Sequence, residues 1–272
     1  MYKTLVLSGG ALRGFALLGA IQVLQDKNLL KNIDTYVGTS IGAIIGYLLC
    51  IGYNPIEILL YINKEEFIEN LSSNLDIING FQGKGLLSFD IIKSILEKMT
   101  IEKCNKLMTL KELYETSNKL LVCCTYNYTD GILEFISKDT FPELKCIDAL
   151  QMSSSLPILF EPYIYNEKIY IDGAIISNFP FFYNEIGNKD TTIGIKFIKR
   201  KKNQNESNII YLYNILMIPI EHLDLLLNDK YKGKIIEIDI SECDYSLDFK
   251  LTHKNRLDMF SCGYENTLKK LK

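Results

Sequence analysis

Ser40 lies in the run Val37-Gly38-Thr39-Ser40-Ile41-Gly42, which holds a G-x-S-x-G pattern. A β-prone stretch, Ile33 to Val37, precedes it, and a helix-like apolar stretch, Ile41 to Cys50, follows. Strand, sharp turn, helix is the setting in which a serine hydroxyl is lifted clear of the chain as a nucleophile. Glycines at 38 and 42 leave room for a turn too tight for side chains. The helix start beyond it offers free backbone N–H groups and partial positive charge. A serine so placed can attack a carbonyl carbon while backbone amides hold the oxyanion. The same residues could also form a plain small-residue turn before a buried helix, so the pattern needs company.

Company comes from Leu7-Ser8-Gly9-Gly10-Ala11-Leu12-Arg13-Gly14. Tyr2 to Leu7 reads as a buried strand and Phe15 to Asp26 as a helix, which with the strand entering Ser40 makes a βαβ unit. Strands so joined are parallel, and their carboxyl ends share one edge of the sheet. The glycine loop and the serine turn therefore sit side by side. Gly9-Gly10-Ala11 could cradle a phosphate, but the chain has neither G-x-x-x-x-G-K-[ST] nor G-x-G-x-x-G spacing there. An oxyanion at a carbonyl attacked by Ser40 fits the neighbouring turn better. Arg13 either holds the loop's shape, meets an anionic head group, or is a solvated first-turn side chain.

A base must take the serine proton. Asp172 opens Asp172-Gly173-Ala174 at the end of a hairpin strand, where it is either a turn residue or that base. Only two histidines exist, His222 in a helical run after Pro219 and His253 in a polar C-terminal segment. The order Ser40, Asp172, His253 matches the triad of α/β-hydrolases, but that fold places its serine after several strands. Here two strands precede Ser40, and an aspartate acting directly explains the chain without a histidine. Ser153 to Ser155 are the next candidates for nucleophile.

The elements that position these residues follow in order. Helical patterns span Pro55 to Asn63, Lys64 to Leu71, Leu87 to Met99, Thr109 to Thr116 and Cys146 to Met152. Leu120 to Tyr126 and Gly131 to Ser137 read as strands, with Asp130-Gly131 as the turn, and Tyr163–Tyr165 with Lys168–Ile171 as a hairpin. No repeat or linker interrupts 272 residues, so a single domain, 1–272, is expected. A net charge of −3 provides no field for nucleic acid. Seven cysteines without C-x-x-C point to free thiols in a reducing, cytoplasmic setting. Thr4 to Leu7 is already fold-like, so no secretory signal is expected. The longest apolar run, Ile41 to Tyr53, is too short to span a bilayer and reads as a core helix. Lys199-Arg200-Lys201-Lys202 is a solvated loop or a contact for anionic lipid. Ile209 to Leu227 covers the core or lies on an interface, and core is the expected reading. No spacing of Asp, Glu or His suggests a metal site, and no cofactor is expected.

Taken together, the motifs resemble the patatin-like phospholipases. The Leu7–Gly14 run resembles that family's oxyanion loop, and Gly38-Thr39-Ser40-Ile41-Gly42 its nucleophile elbow. Ser154-Ser155-Leu156-Pro157 with Phe160 and Pro162 resembles the block before its aspartate. Asp172-Gly173-Ala174, followed by Asn178 and Pro180, resembles its D-G-[GA] segment. The likeness covers most of residues 4 to 184, extends no further than about Ile198, and leaves 199–272 as an extension of the same domain. It implies a three-layer α/β/α fold with a mainly parallel central sheet. It also implies a metal-free Ser40–Asp172 dyad with the oxyanion held at Gly9, Gly10 and Ala11, and with the Ile41 amide as a further candidate donor. Arg13, Gly14, Gly38, Gly42 and Gly173 support the motifs. Implied too is a lipid substrate, a phospholipid or lysophospholipid ester, met by transient contact with a membrane surface. Neutral glycerides, thioesters or lipid binding without turnover are the alternatives. Ala11 stands where many members carry a third glycine, which keeps an N–H donor but hinders positive φ. Burial beside Phe179 and Phe181 would raise the pKa of Asp172. Phe15, Leu156, Phe160 and Phe179 are candidate acyl contacts, each with ordinary core as its alternative.

Overall fold

The computed structural model describes residues 1–64, 87–186, 189–198, 208–228, 234–241 and 251–271. The basic run at 199–202 and the helical pattern Lys64 to Leu71, beyond its first residue, lie outside these.

Strand β1 (Thr4–Leu7) leads through the glycine loop into α1 (Gly14–Asp26), then β2 (Thr35–Thr39), α2 (Ile41–Cys50) and α3 (Pro55–Lys64). Next come α4 (Asp90–Cys104), α5 (Leu110–Ser117), β3 (Leu120–Asn127), β4 (Ile132–Ile136) and α6 (Cys146–Ser154). The hairpin β5 (Tyr163–Tyr165) and β6 (Lys168–Asp172) precedes β7 (Thr192–Phe197), α7 (Asn208–Asn228), β8 (Lys234–Ile238) and α8 (His253–Lys270). Among the described residues, eight strands form one sheet in the order β5-β6-β3-β2-β1-β7-β8, with β4 also on β3. The block β3-β2-β1-β7-β8 is parallel, while β4, β5 and β6 join antiparallel. A mainly parallel sheet flanked by helices is the expected fold class.

Side chains alternate across the sheet, as strand geometry requires. Leu5, Leu7, Tyr36, Leu121 and Cys123 face a large cluster that takes in α1, α2 and α6. Val6, Val37 and Val122 face the other way, onto Phe179 and Phe181. The two rings stack at 5.4 Å. Gly194 on β7 makes room for them, because a Cβ there would strike both rings.

The C-terminal helices are placed differently. Helix α8 begins with a capping box, Thr252 with Asn255, and packs along α1. A Cβ at Gly263 would strike the Ala16 carbonyl, and one at Gly19 the Phe260 carbonyl, so these backbones pass very close. Helix α7 buries Ile220 and leaves Ile215, Ile218, Leu225 and Leu226 exposed. Its described side chains are thus partly core and partly exposed. No single described helix is long and apolar enough to cross a membrane, and α2 with α3, apolar enough together, turn by 114°. The six described cysteines are free thiols.

Candidate active site

Register brings the motifs together. Leu7 pairs with Gly38, Thr39 with Cys124, and Thr125 with Asp172, so the glycine loop, Ser40 and Asp172 end neighbouring strands at one edge. Gly42 must pass over the end of β1, and a Cβ there would approach the Leu7 carbonyl oxygen to 2.5 Å. Ser40 itself holds φ 54° and ψ −124°, a strained conformation for a residue with a side chain. Its carbonyl accepts the N–H groups of Ala43 and Ile44, which locks the turn to the first turn of α2.

The glycine loop has its own fixings. Gly9 N–H donates to the Asn178 carbonyl at 2.9 Å, so this amide is already engaged. Ala11 adopts φ 47° despite its side chain. The alanine therefore takes the conformation that a glycine would have taken more cheaply. Arg13 places its guanidinium 5.6 Å from the centre of the Phe197 ring.

Asp172 is 1% exposed. Burial raises its pKa to about 7, against the Ala174 N–H and the Ser40 side chain, which lower it. The Ala174 amide donates to Oδ1 at 2.8 Å and is the stronger of those two influences. Phe179 and Phe181 pack against the valine face of the sheet.

Ser153 carries a role that its local pattern does not announce. Its Oγ accepts the Ser40 N–H at 3.0 Å and donates to the Cys124 carbonyl at 2.6 Å. Two residues on, the Ser155 carbonyl accepts the Asp172 N–H at 3.0 Å. The serine run that closes α6 is a brace between Ser40 and Asp172. No short motif could have revealed this, because the contacts join distant segments.

Beside Ser40 and Ala11 opens a cavity of about 130 Å³. Ile44, Leu48, Ile92, Leu96, Met99 and Phe160 give it apolar walls. Of the four expected acyl contacts only Phe160 lines it. Phe15 and Phe179 are core, and Leu156 packs near Leu87 and Leu159. Both histidines are exposed, His222 on α7 and His253 on the first turn of α8. No group of three or more His, Cys, Asp or Glu among the described residues is placed to hold a metal ion.

Comparison with known proteins adds a family. The patatin-like phospholipase pattern matches residues 5–183. A protein named probable lipid hydrolase 463L, from Invertebrate iridescent virus 6, is 36% identical across 77% of this chain and 68% of its own length. The uncharacterized protein R571 of Acanthamoeba polyphaga mimivirus is 28% identical across 97% of this chain and 92% of its own. VipD from Legionella pneumophila superposes with a TM-score of 0.61 at 20% identity, over 98% of this chain and 66% of VipD. A chain of the ExoU–SpcU complex of Pseudomonas aeruginosa gives 0.56 at 17%, over 99% of this chain and 52% of its own. The chain thus spans between half and two thirds of these solved structures, and at such identities the likeness is one of fold.

Proposed function

The chain belongs to the patatin-like phospholipase family, and on that premise we propose that it is a serine lipid acyl hydrolase working through a Ser40–Asp172 dyad. The observation that carries this reading is one juxtaposition. A strained serine meets a buried carboxyl of raised pKa, at the mouth of an apolar cavity. The substrate is a phospholipid or lysophospholipid ester whose acyl chain enters that cavity. Its walls favour methylenes over water, since buried apolar area is worth roughly 25 cal/mol per Å². The whole of 1–272 acts as one catalytic domain at a lipid surface.

Ionised Asp172 takes the proton of Ser40 Oγ as that oxygen bonds to the ester carbonyl carbon. Negative charge moves onto the carbonyl oxygen, which the amides of Gly10 and Ala11 and the N-terminal amide of α2 at Ile41 receive. Gly9, whose N–H is engaged by Asn178, shapes the loop. The tetrahedral species then collapses. The C–O bond to the alcohol breaks, and Asp172 returns the proton to the leaving oxygen. Water attacks the acyl-Ser40 ester, gives its proton to Asp172, and the freed serine oxygen takes it back as the fatty acid departs. A carboxyl near pH 7 is far better matched to this duty than a solvated aspartate near 3.9.

The test is fatty-acid release from lysophosphatidylcholine and phosphatidylcholine vesicles by the parent and by Ser40→Ala. Release by the parent alone is the expected result. Equal release by both would remove Ser40 from the chemistry.

A further inference from the structure

Beyond residue 183, where the family match ends, one side chain reaches back toward the site. Asp224 on α7 accepts the Phe179 N–H on Oδ1 at 3.0 Å. Burial raises its pKa to about 6, while the Phe179 amide and the charge of Lys196 on β7 draw it down. Phe179 closes a three-residue stretch, Ser177-Asn178-Phe179, that touches both halves of the site. The Ser177 carbonyl accepts Thr39 Oγ1 at 3.0 Å, one residue before Ser40. The Asn178 carbonyl accepts the Gly9 N–H at 2.9 Å, and Asn178 Nδ2 donates to the Gly9 carbonyl at 3.4 Å. The fit is close enough that a Cβ at Gly9 would strike Asn178 Oδ1. This stretch is a strut between the serine turn and the glycine loop, and Asp224 grips its outer side.

We propose that Asp224 is a positioning residue for acyl transfer, holding the Gly9–Ala11 loop in register with Ser40 through residues 177–179. The proposal rests on the Ser40–Asp172 reading of the site. An ionised carboxylate suits the task, because amide bonds to a charged acceptor are shorter and about twice as strong as neutral ones. The demand on the strut is high, since a misplacement of about 1 Å can cost roughly 10²-fold in rate.

The experiment compares Asp224→Ala and Asp224→Asn with the parent on a soluble short-chain p-nitrophenyl ester, a substrate that needs no lipid surface. Hydrogen–deuterium exchange is followed in peptides covering residues 5–14. Asp224→Ala is expected to lower kcat about 10- to 100-fold with KM within about threefold, and to speed exchange in the loop. Asp224→Asn keeps an acceptor oxygen and should recover kcat to within about fivefold of the parent. Parental kcat and parental exchange in Asp224→Ala would overturn the proposal. So would equal losses in both variants accompanied by a fall in Tm, the mark of a merely structural role. If Ser40→Ala proves as active as the parent, the dyad reading fails, yet exchange still decides whether Asp224 governs the loop. Should Asp224→Ala not fold, Thr39→Val cuts the strut at its serine-turn end, because it removes the hydroxyl that donates to the Ser177 carbonyl. Reduced kcat at unchanged KM then upholds the link, and parental kcat rejects it.

Discussion

The stretch from Thr4 to Asp172 and the stretch from Asn208 to Lys270 both build on one sheet, yet they relate to the site in opposite ways. In the first, the residues proposed to do chemistry sit at strand ends beside glycines, so each is marked by a short run of sequence. In the second, one strand extends the sheet, one helix packs along α1, and one carboxylate touches a loop at one remove from Ser40. Both regions use glycine for close backbone approach. At Gly42 the partner is the end of β1, reached from a turn of a few residues. At Gly19 and Gly263 the partners are two helices far apart in the chain. The first kind of contact leaves a motif behind and the second does not.

Variants should separate the two regions, with chemistry lost from one and folding from the other. The largest effect is expected from Asp172→Asn, which nearly preserves shape and removes the base. Turnover of a lipid ester should fall by about 10⁴-fold, a loss comparable to removing a triad member elsewhere. In the parent, kcat/KM should rise with pH and level off above about 7, because only the ionised carboxyl accepts the serine proton. Stability should move the other way. The folded-state pKa of Asp172 is raised, so the folded chain holds its proton more tightly than the unfolded chain does. The stability this lends is complete below the unfolded value of about 3.9 and is lost as pH climbs to about 7. Asp172→Asn should therefore raise Tm relative to the parent, by an amount that grows over that window. Thermal melts at pH 4, 6 and 8 would show it, and a Tm gain independent of pH would contradict it.

Ser153→Ala is expected to come next. It leaves the Ser40 N–H and the Cys124 carbonyl without their shared partner, a loss of about 1–3 kcal/mol. Catalysis should drop by roughly 10- to 100-fold while KM stays close to parental, measured by steady-state kinetics on a soluble ester. Gly263→Val sharpens the contrast from the far side. Its added atoms meet the Ala16 carbonyl, and overpacking of this kind costs about 1–3 kcal/mol. Tm should fall, yet activity per folded molecule should stay within about twofold. Smallest of all is His253→Ala, where the exposed side chain at the start of α8 predicts activity within about tenfold of the parent. A dead His253→Ala beside a merely slowed Asp172→Asn would restore the triad.

Much of the site is legible in the residues alone because βαβ geometry converts sequence order into adjacency. Given parallel β1 and β2, the loop at Gly9 and the turn at Ser40 have to meet. Asp172 is marked by its glycine and its place at a strand end. Ser153 stands out in the sequence only as a rival nucleophile, since its part as a brace depends on contacts with Ser40 and Cys124 that leave no local pattern. The cavity walls are hidden for a related reason. Ile44, Leu48, Leu96 and Met99 look like any apolar helix face, and only tertiary packing decides whether such a face meets protein or an opening. The glycine loop misleads in one detail. Its spacing suggests that Gly9 offers an amide to an oxyanion, whereas that amide is bonded to Asn178.

The central claim is that Ser40 is the nucleophile and Asp172 its base. The measurement that reaches it most directly is reaction with a fluorophosphonate at pH 8, followed by peptide mass spectrometry to locate the adduct. The account predicts a single adduct on Ser40, none in Ser40→Ala, and labelling slowed by orders of magnitude in Asp172→Asn. An adduct on Ser153, Ser154 or Ser155, or undiminished labelling of Ser40→Ala, would contradict it.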